Sequence, residues 1–111
     1  ELRAPEVKDP KFSDELHRLR ERIDNIDESL TELLAERMSI VGQIGEQKRA
    51  RGVTIFQLER WTKIRENFEH WGRKLGLRED FIHKVVNSIH SESIEIQQKV
   101  MNEDPKTQSK E

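Results

Sequence analysis

The chain has 111 residues, 32% hydrophobic and 38% charged, with 20 Lys and Arg against 22 acids and no cysteine. That length holds one domain, and that composition suits long helices with narrow buried faces rather than a thick globular core. Near-balanced charge argues against a general nucleic-acid or membrane-surface role, and no apolar run is long enough to span a bilayer.

Residues 1–12 (ELRAPEVKDPKF) hold two prolines and no periodicity, so they read as a linker or tail. Ser13 is the expected N-cap of the first helix, with Asp14 and Glu15 in its first turn, where negative charge suits the helix dipole. Apolar residues then recur at Leu16, Leu19, Ile23, Ile26, Leu30, Leu33, Ile40 and Ile44. This alternation of three and four is a coiled-coil seam. Arg37 fills its one missing slot, and Lys48 takes the slot after Ile44. With Gly52 as the stop, the helix covers 13–51, about 55 Å at 1.5 Å per residue. A domain of this size is about 30 Å across, so an apolar seam of that length predicts a homodimer sharing its first helices.

Thr54 followed by Gln57 matches a capping box for a second helix. Its seam is Leu58, Trp61, Ile64, Phe68, Trp71 and Leu75, and Gly76 ends it. A third helix is expected from Asp80 to Asn102, with Ile82, Val85, Ile89, Ile96 and Val100 inward, Ser93 in the gap and Gln97 one turn on. The polar tail at 103–111 reads as disordered. No strand pattern is present. The expected class is all-α, a three-helix subunit with a long first helix in an intertwined homodimer, its domain occupying 13–102.

Each helix therefore puts polar side chains on an apolar seam: Arg37 and Lys48, then Gln57 with Arg60 at the edge, then Ser93 and Gln97. An unpaired buried cation costs several kcal/mol, and the acids Asp24, Glu28, Glu32 and Glu36 all fall off the first seam. A ligand bearing carboxylate or phosphate groups would supply the missing anion, and arginine forks bind such groups bidentately. Simpler readings exist for each residue. Arg37 could fix coiled-coil register, Lys48 could favour the helix dipole, Gln57 could serve only the cap, and Ser93 could bond its own backbone. They do not account for all three helices showing the feature together.

Other signals are weaker. KRARG (48–52) reads as a solvated helix end, Trp61 and Trp71 as core. His83 and His90 are too loosely spaced for a metal site, and no phosphate loop or nucleophile motif is present, so no metal or cofactor is expected. The absence of cysteine and of a signal-peptide pattern fits a reducing, cytoplasmic setting.

The stretch LRERIDNIDESLTELLAERMSIVGQIGEQK (19–48) resembles helix 1 of the all-α (AroQ-class) chorismate mutases, whose pattern runs as LR..ID.ID..L..LLA.R......IG..K. The likeness continues without a gap through QLER (57–60) to SESIEIQQ (91–98). It implies an intertwined dimer with two active sites, each drawing on both chains, and the conversion of chorismate to prephenate in phenylalanine and tyrosine biosynthesis. On that resemblance, Arg20 matches the arginine that reaches a substrate carboxylate from the partner subunit, and Arg37 the carboxylate-binding arginine within the subunit. Lys48 and Gln97 match the two donors to the ether oxygen, and Arg60 and Ser93 match further pocket positions. Three positions depart from the family pattern. Gln57 stands where many members have aspartate, Trp61 where a glutamate contacts the substrate's ring hydroxyl, and His90 where an apolar residue is common.

Such modules are often fused to other aromatic-pathway enzymes, including DAHP synthase, and the non-Met start and proline-containing lead-in fit a domain cut from a fusion. Isochorismate–pyruvate lyase, which uses the same scaffold, is the enzymatic rival. A non-catalytic dimerisation or regulatory module that binds prephenate or a similar acid is the rival from another class, and a plain coiled-coil scaffold is the third.

Overall fold

A computed structural model of the chain describes residues 9–103. It contains three helices, α1 (Pro10–Arg51), α2 (Leu58–Lys74) and α3 (Glu79–Met101), and no strand among the described residues. The chain divides within α1 into two compact units, one ending at Glu36 and one beginning at Arg37.

The first helix begins three residues earlier than the sequence reading places it. Asp9, not Ser13, is its cap: the Lys11 backbone N–H donates to Asp9 Oδ1 at 3.0 Å, and the Ser13 N–H to the Asp9 carbonyl at 3.0 Å. Pro10 then occupies the first helical position, where a missing N–H costs nothing and its fixed φ suits the helix. The second proline of the expected linker is therefore a helix start. The rest of that expected linker, 1–8, and the tail 104–111 lie outside the described residues.

In the first unit the predicted seam is exposed on this chain. Leu19, Ile23, Ile26, Leu30 and Leu33 are each more than half accessible, from 51% to 63%. Among the described residues, nothing within the unit covers them.

The second unit begins with the last turns of α1. Gly52 ends that helix with φ 66°, and the Val53 N–H reaches back to the Lys48 carbonyl at 2.9 Å. This left-handed stop turns the chain toward Ile55. The expected Thr54 capping box does not form. The chain stays irregular through Phe56, and Gln57 is the N-cap in extended backbone (φ −126°, ψ 111°) with no side-chain cap bond. Gly76 (φ 77°) closes α2 with the same back-bonded turn, the Leu77 N–H donating to the Gly72 carbonyl at 2.8 Å.

α2 and α3 pack against each other. Their closest approach is at Gly72, where a Cβ would come within 2.7 Å of Ile82 Cγ1. Ile82 and Gly72 are buried, and Val86 is completely so. Burying such a valine contributes about 1.5–3 kcal/mol. The buried stripe of α3 is Ile82, Val86, Ser93 and Gln97. On the second-unit portion of α1 the buried residues are Val41 and Gly45, while Ile40 and Ile44 of the predicted seam are 49% and 43% exposed. Gly45 permits close contact with α3, since a Cβ there would lie 3.4 Å from the Gln97 Cα. On α2, Trp61, Ile64 and Phe68 are half-buried, and Leu58, Trp71 and Leu75 are exposed.

Candidate active site

The second unit encloses a cavity of about 100 Å³ whose wall includes Arg37, Lys48, Gln57, Arg60, Ser93 and Gln97. Val41, Ile44, Ile55, Trp61, Ile64, His90 and Ile94 complete it. No aspartate or glutamate is among these residues. Arg20 belongs to the first unit, where its side chain is exposed.

Helix periodicity supplies the convergence. Arg37, Val41, Gly45 and Lys48 lie one turn apart along one face of α1, as Ser93 and Gln97 do on α3. The cations therefore share the face that carries buried Val41 and Gly45. Arg37 Nη1 donates to Ser93 Oγ at 2.9 Å, and the Ser93 hydroxyl in turn donates to the Ile89 carbonyl at 2.8 Å. That back-bond uses the hydroxyl proton and leaves the oxygen lone pairs for the guanidinium. Lys48 Nζ donates to Gln97 Oε1 at 2.8 Å and to the Ile55 carbonyl at 2.6 Å. Gln97 Nε2 donates to the Ser93 carbonyl at 3.3 Å.

The electrostatics follow from this enclosure. Burial pushes the Arg37 guanidinium below its ordinary value, and the nearby Arg60 cation pushes the same way. Burial likewise lowers Lys48. His90 is held below the usual imidazole range, first by burial and then by the charge of Arg37. All three shifts disfavour the positive form, as burial of a cation does first of all, with a neighbouring like charge adding to it at Arg37 and His90.

Two features of this wall do not follow from helix periodicity. The Ile55 carbonyl is a backbone group whose direction depends on the turn at Gly52. Trp61, read as core from its spacing although the family resemblance set it at a substrate-contacting position, lines the cavity and stacks on His90, with ring centroids 4.0 Å apart and planes 22° from parallel. These residues lie on different helices, and no periodic pattern pairs them.

A three-helix frame around a cation-lined, carboxylate-free cavity defines a small all-α domain suited to a compact polyanion. Comparison with known proteins makes the assignment specific. Residues 19–98 match the family described as chorismate mutase type II, and the chain belongs to that family. It is similar to the T-protein of Enterobacter agglomerans, 34% identical over 79 residues, which are 71% of this chain and 21% of the relative. It is also similar to the bifunctional chorismate mutase/prephenate dehydratase of Buchnera aphidicola subsp. Acyrthosiphon pisum, 32% identical over 82 residues, 74% of this chain and 21% of that protein. The T-protein of Haemophilus influenzae is 32% identical over 82 residues, 74% of this chain and 22% of the relative. The chain thus spans about a fifth of the length of these relatives. The bifunctional name pairs the mutase with prephenate dehydratase rather than with DAHP synthase. Among the described residues, no helix is long and apolar enough to cross a membrane.

Proposed function

We propose that this chain is a chorismate mutase module, an isomerase converting chorismate to prephenate for phenylalanine and tyrosine synthesis. The observation that carries this reading is the cavity itself: three cations and two amide side chains in its wall, with no acid to neutralise them. The substrate is a dianion, and its rearrangement is unimolecular. One C–O bond breaks as one C–C bond forms, with no proton transfer and no nucleophile. Two tasks remain. One is to hold the flexible dianion in its compact reactive shape, which Arg37 and Arg60 do by gripping carboxylates. The other is to stabilise negative charge growing on the ether oxygen, which falls to Lys48 and Gln97.

Ser93 orients Arg37 in this account, and Gln57 stands at the α2 cap. The exposed stripe from Leu19 to Leu33 supports an intertwined homodimer, because soluble monomers rarely leave contiguous apolar patches beyond roughly 600 Å² uncovered. In that dimer Arg20 reaches the partner's site. The module works in the cytoplasm, attached to or associated with another aromatic-pathway enzyme. The dehydratase named in a relative supports such an attachment, and DAHP synthase is the alternative.

The test is to offer purified protein chorismate and isochorismate separately. Prephenate from chorismate, with no pyruvate released, is the expected outcome. Pyruvate from isochorismate as the faster reaction would assign the lyase activity instead. Binding of prephenate without turnover of either would assign a regulatory module.

A further inference from the structure

One wall of the cavity has no part in the steps above. His90 lies flat against Trp61 and meets Phe56 edge-on at 5.9 Å. Arg65 sits 5.9 Å from the Trp61 ring centroid. Half-buried between two rings, the imidazole has restricted rotation. Among the described residues these two rings are what its ring packs against, and neither ring nitrogen has a hydrogen bond. The charged groups that share its cavity are Arg37 and Lys48 of α1 and Arg60 of α2. Burial and the Arg37 charge favour the neutral imidazole, which offers one N–H and one lone pair.

Hydrogen-bond acceptors are scarce in this wall. Arg37, Lys48 and Arg60 only donate. Gln97 Oε1 is engaged by Lys48, and Ser93 Oγ by Arg37. No carboxylate is present. Chorismate presents two carboxylates and an ether oxygen, which need donors, and one ring hydroxyl, which needs an acceptor. Each of those two oxygens keeps a second lone pair, but among the described residues His90 and Gln57 are the wall side chains whose acceptors take no hydrogen bond at all. Gln57 is exposed, whereas His90 is already immobilised by stacking and loses little side-chain entropy on binding.

We infer that His90, held in place by Trp61, accepts the hydrogen bond from the substrate's ring hydroxyl and is the specificity-determining residue of this pocket. The inference rests on the mutase reading. A neutral acceptor does this without adding negative charge to a cavity that must bind a dianion, so the pull of Arg37, Arg60 and Lys48 on the carboxylates is undiminished.

The experiment compares kcat/KM for chorismate and for its analogue lacking the ring hydroxyl, each divided by its uncatalysed rate. Wild-type protein should favour chorismate by about tenfold or more, the worth of one buried hydrogen bond. His90→Leu should lower the chorismate value and leave the deoxy value nearly unchanged, bringing the ratio close to one. His90→Gln, which restores an acceptor, should recover part of it. A structural loss would lower both substrates alike and leave the ratio intact. An unchanged ratio in His90→Leu, or a ratio that collapses in Gln57→Leu instead, overturns the inference while the mutase reading stands. Wild-type protein that converts neither substrate removes both.

Discussion

Lys48 Nζ stands 2.8 Å from Gln97 Oε1, joining the last turns of α1 to α3 across the cavity wall. The ammonium has three protons, and two are taken, by Gln97 and by the Ile55 carbonyl. The Gln97 amide has two protons, and one is taken by the Ser93 carbonyl. Each group therefore keeps one donor for a guest, and each is fixed by the bonds it already makes. Such preorganisation makes donors effective at an oxygen that gains charge only in the transition state.

Replacing Gln97 with glutamate should expose this arrangement. The new carboxylate would pair with Lys48 and, in the proposed mutase, place negative charge beside the ether oxygen. At neutral pH kcat should fall about a hundredfold, the usual effect of losing one such donor. Because Lys48 favours the ionised carboxyl, activity should recover only as pH falls through a depressed pKa, when an O–H donor appears. The wild-type amide does not titrate, so its profile over that range should be flat. A Gln97→Glu profile that is equally flat would contradict the assignment.

Lys48 makes a prediction on the alkaline side. Burial lowers its pKa, so the cation is lost at a lower pH than for an ordinary lysine. The kcat/KM profile, which reports the free enzyme, should decline as pH rises through that lowered value. Lys48→Arg keeps the charge and should move the decline out of the accessible range, whatever activity remains. A decline unchanged in that variant would assign it to another group.

Gly72 tests the frame rather than the chemistry. Gly72→Ala gains up to about 1 kcal/mol of helix propensity, but its Cβ would sit 2.7 Å from Ile82 Cγ1 in a buried contact. Overpacking of this kind costs about 1–3 kcal/mol, so the net effect should be a lower Tm. Gly72 does not line the cavity, and turnover per folded chain should be unaltered. A raised Tm would mean that α2 and α3 separate more easily than their packing implies.

The proposed sharing of sites between subunits is tested by mixing. Arg20→Ala and Arg37→Ala proteins should each be nearly inactive alone. Dissociated and reassociated together, they form heterodimers in which one site has both arginines and the other has neither. Turnover should therefore reappear on mixing. If it does not, Arg20 serves its own subunit or none.

How much of this was legible in the sequence varies by residue. The three helices and their glycine stops follow from periodicity and from the left-handed turns that Gly52 and Gly76 adopt. The start of α1 was misplaced because Pro10 reads as linker unless Asp9 is recognised as its cap. On α3 the three–four spacing pointed inward with Val85, whereas Val86 is the fully buried residue. On α1 the seam pattern and the face turned toward α3 are different stripes. Ile40 and Ile44 follow the exposed row, while Val41 and Gly45 mark the buried one. Arg37 and Lys48 stood out because they interrupt the first row, although they act with the second. The Trp61–His90 stack depends on packing between helices, which no single-helix pattern encodes.

The central claim is that positive groups enclosed without acids are completed by a doubly negative guest. Calorimetric titration with a rigid bicyclic dicarboxylate shaped like the compact rearranging conformer tests it most directly. Saturable binding of one molecule per chain is predicted, weakened at least tenfold in Arg37→Ala and again in Lys48→Ala. Absence of binding to the wild-type protein, or affinity that neither substitution changes, would contradict it.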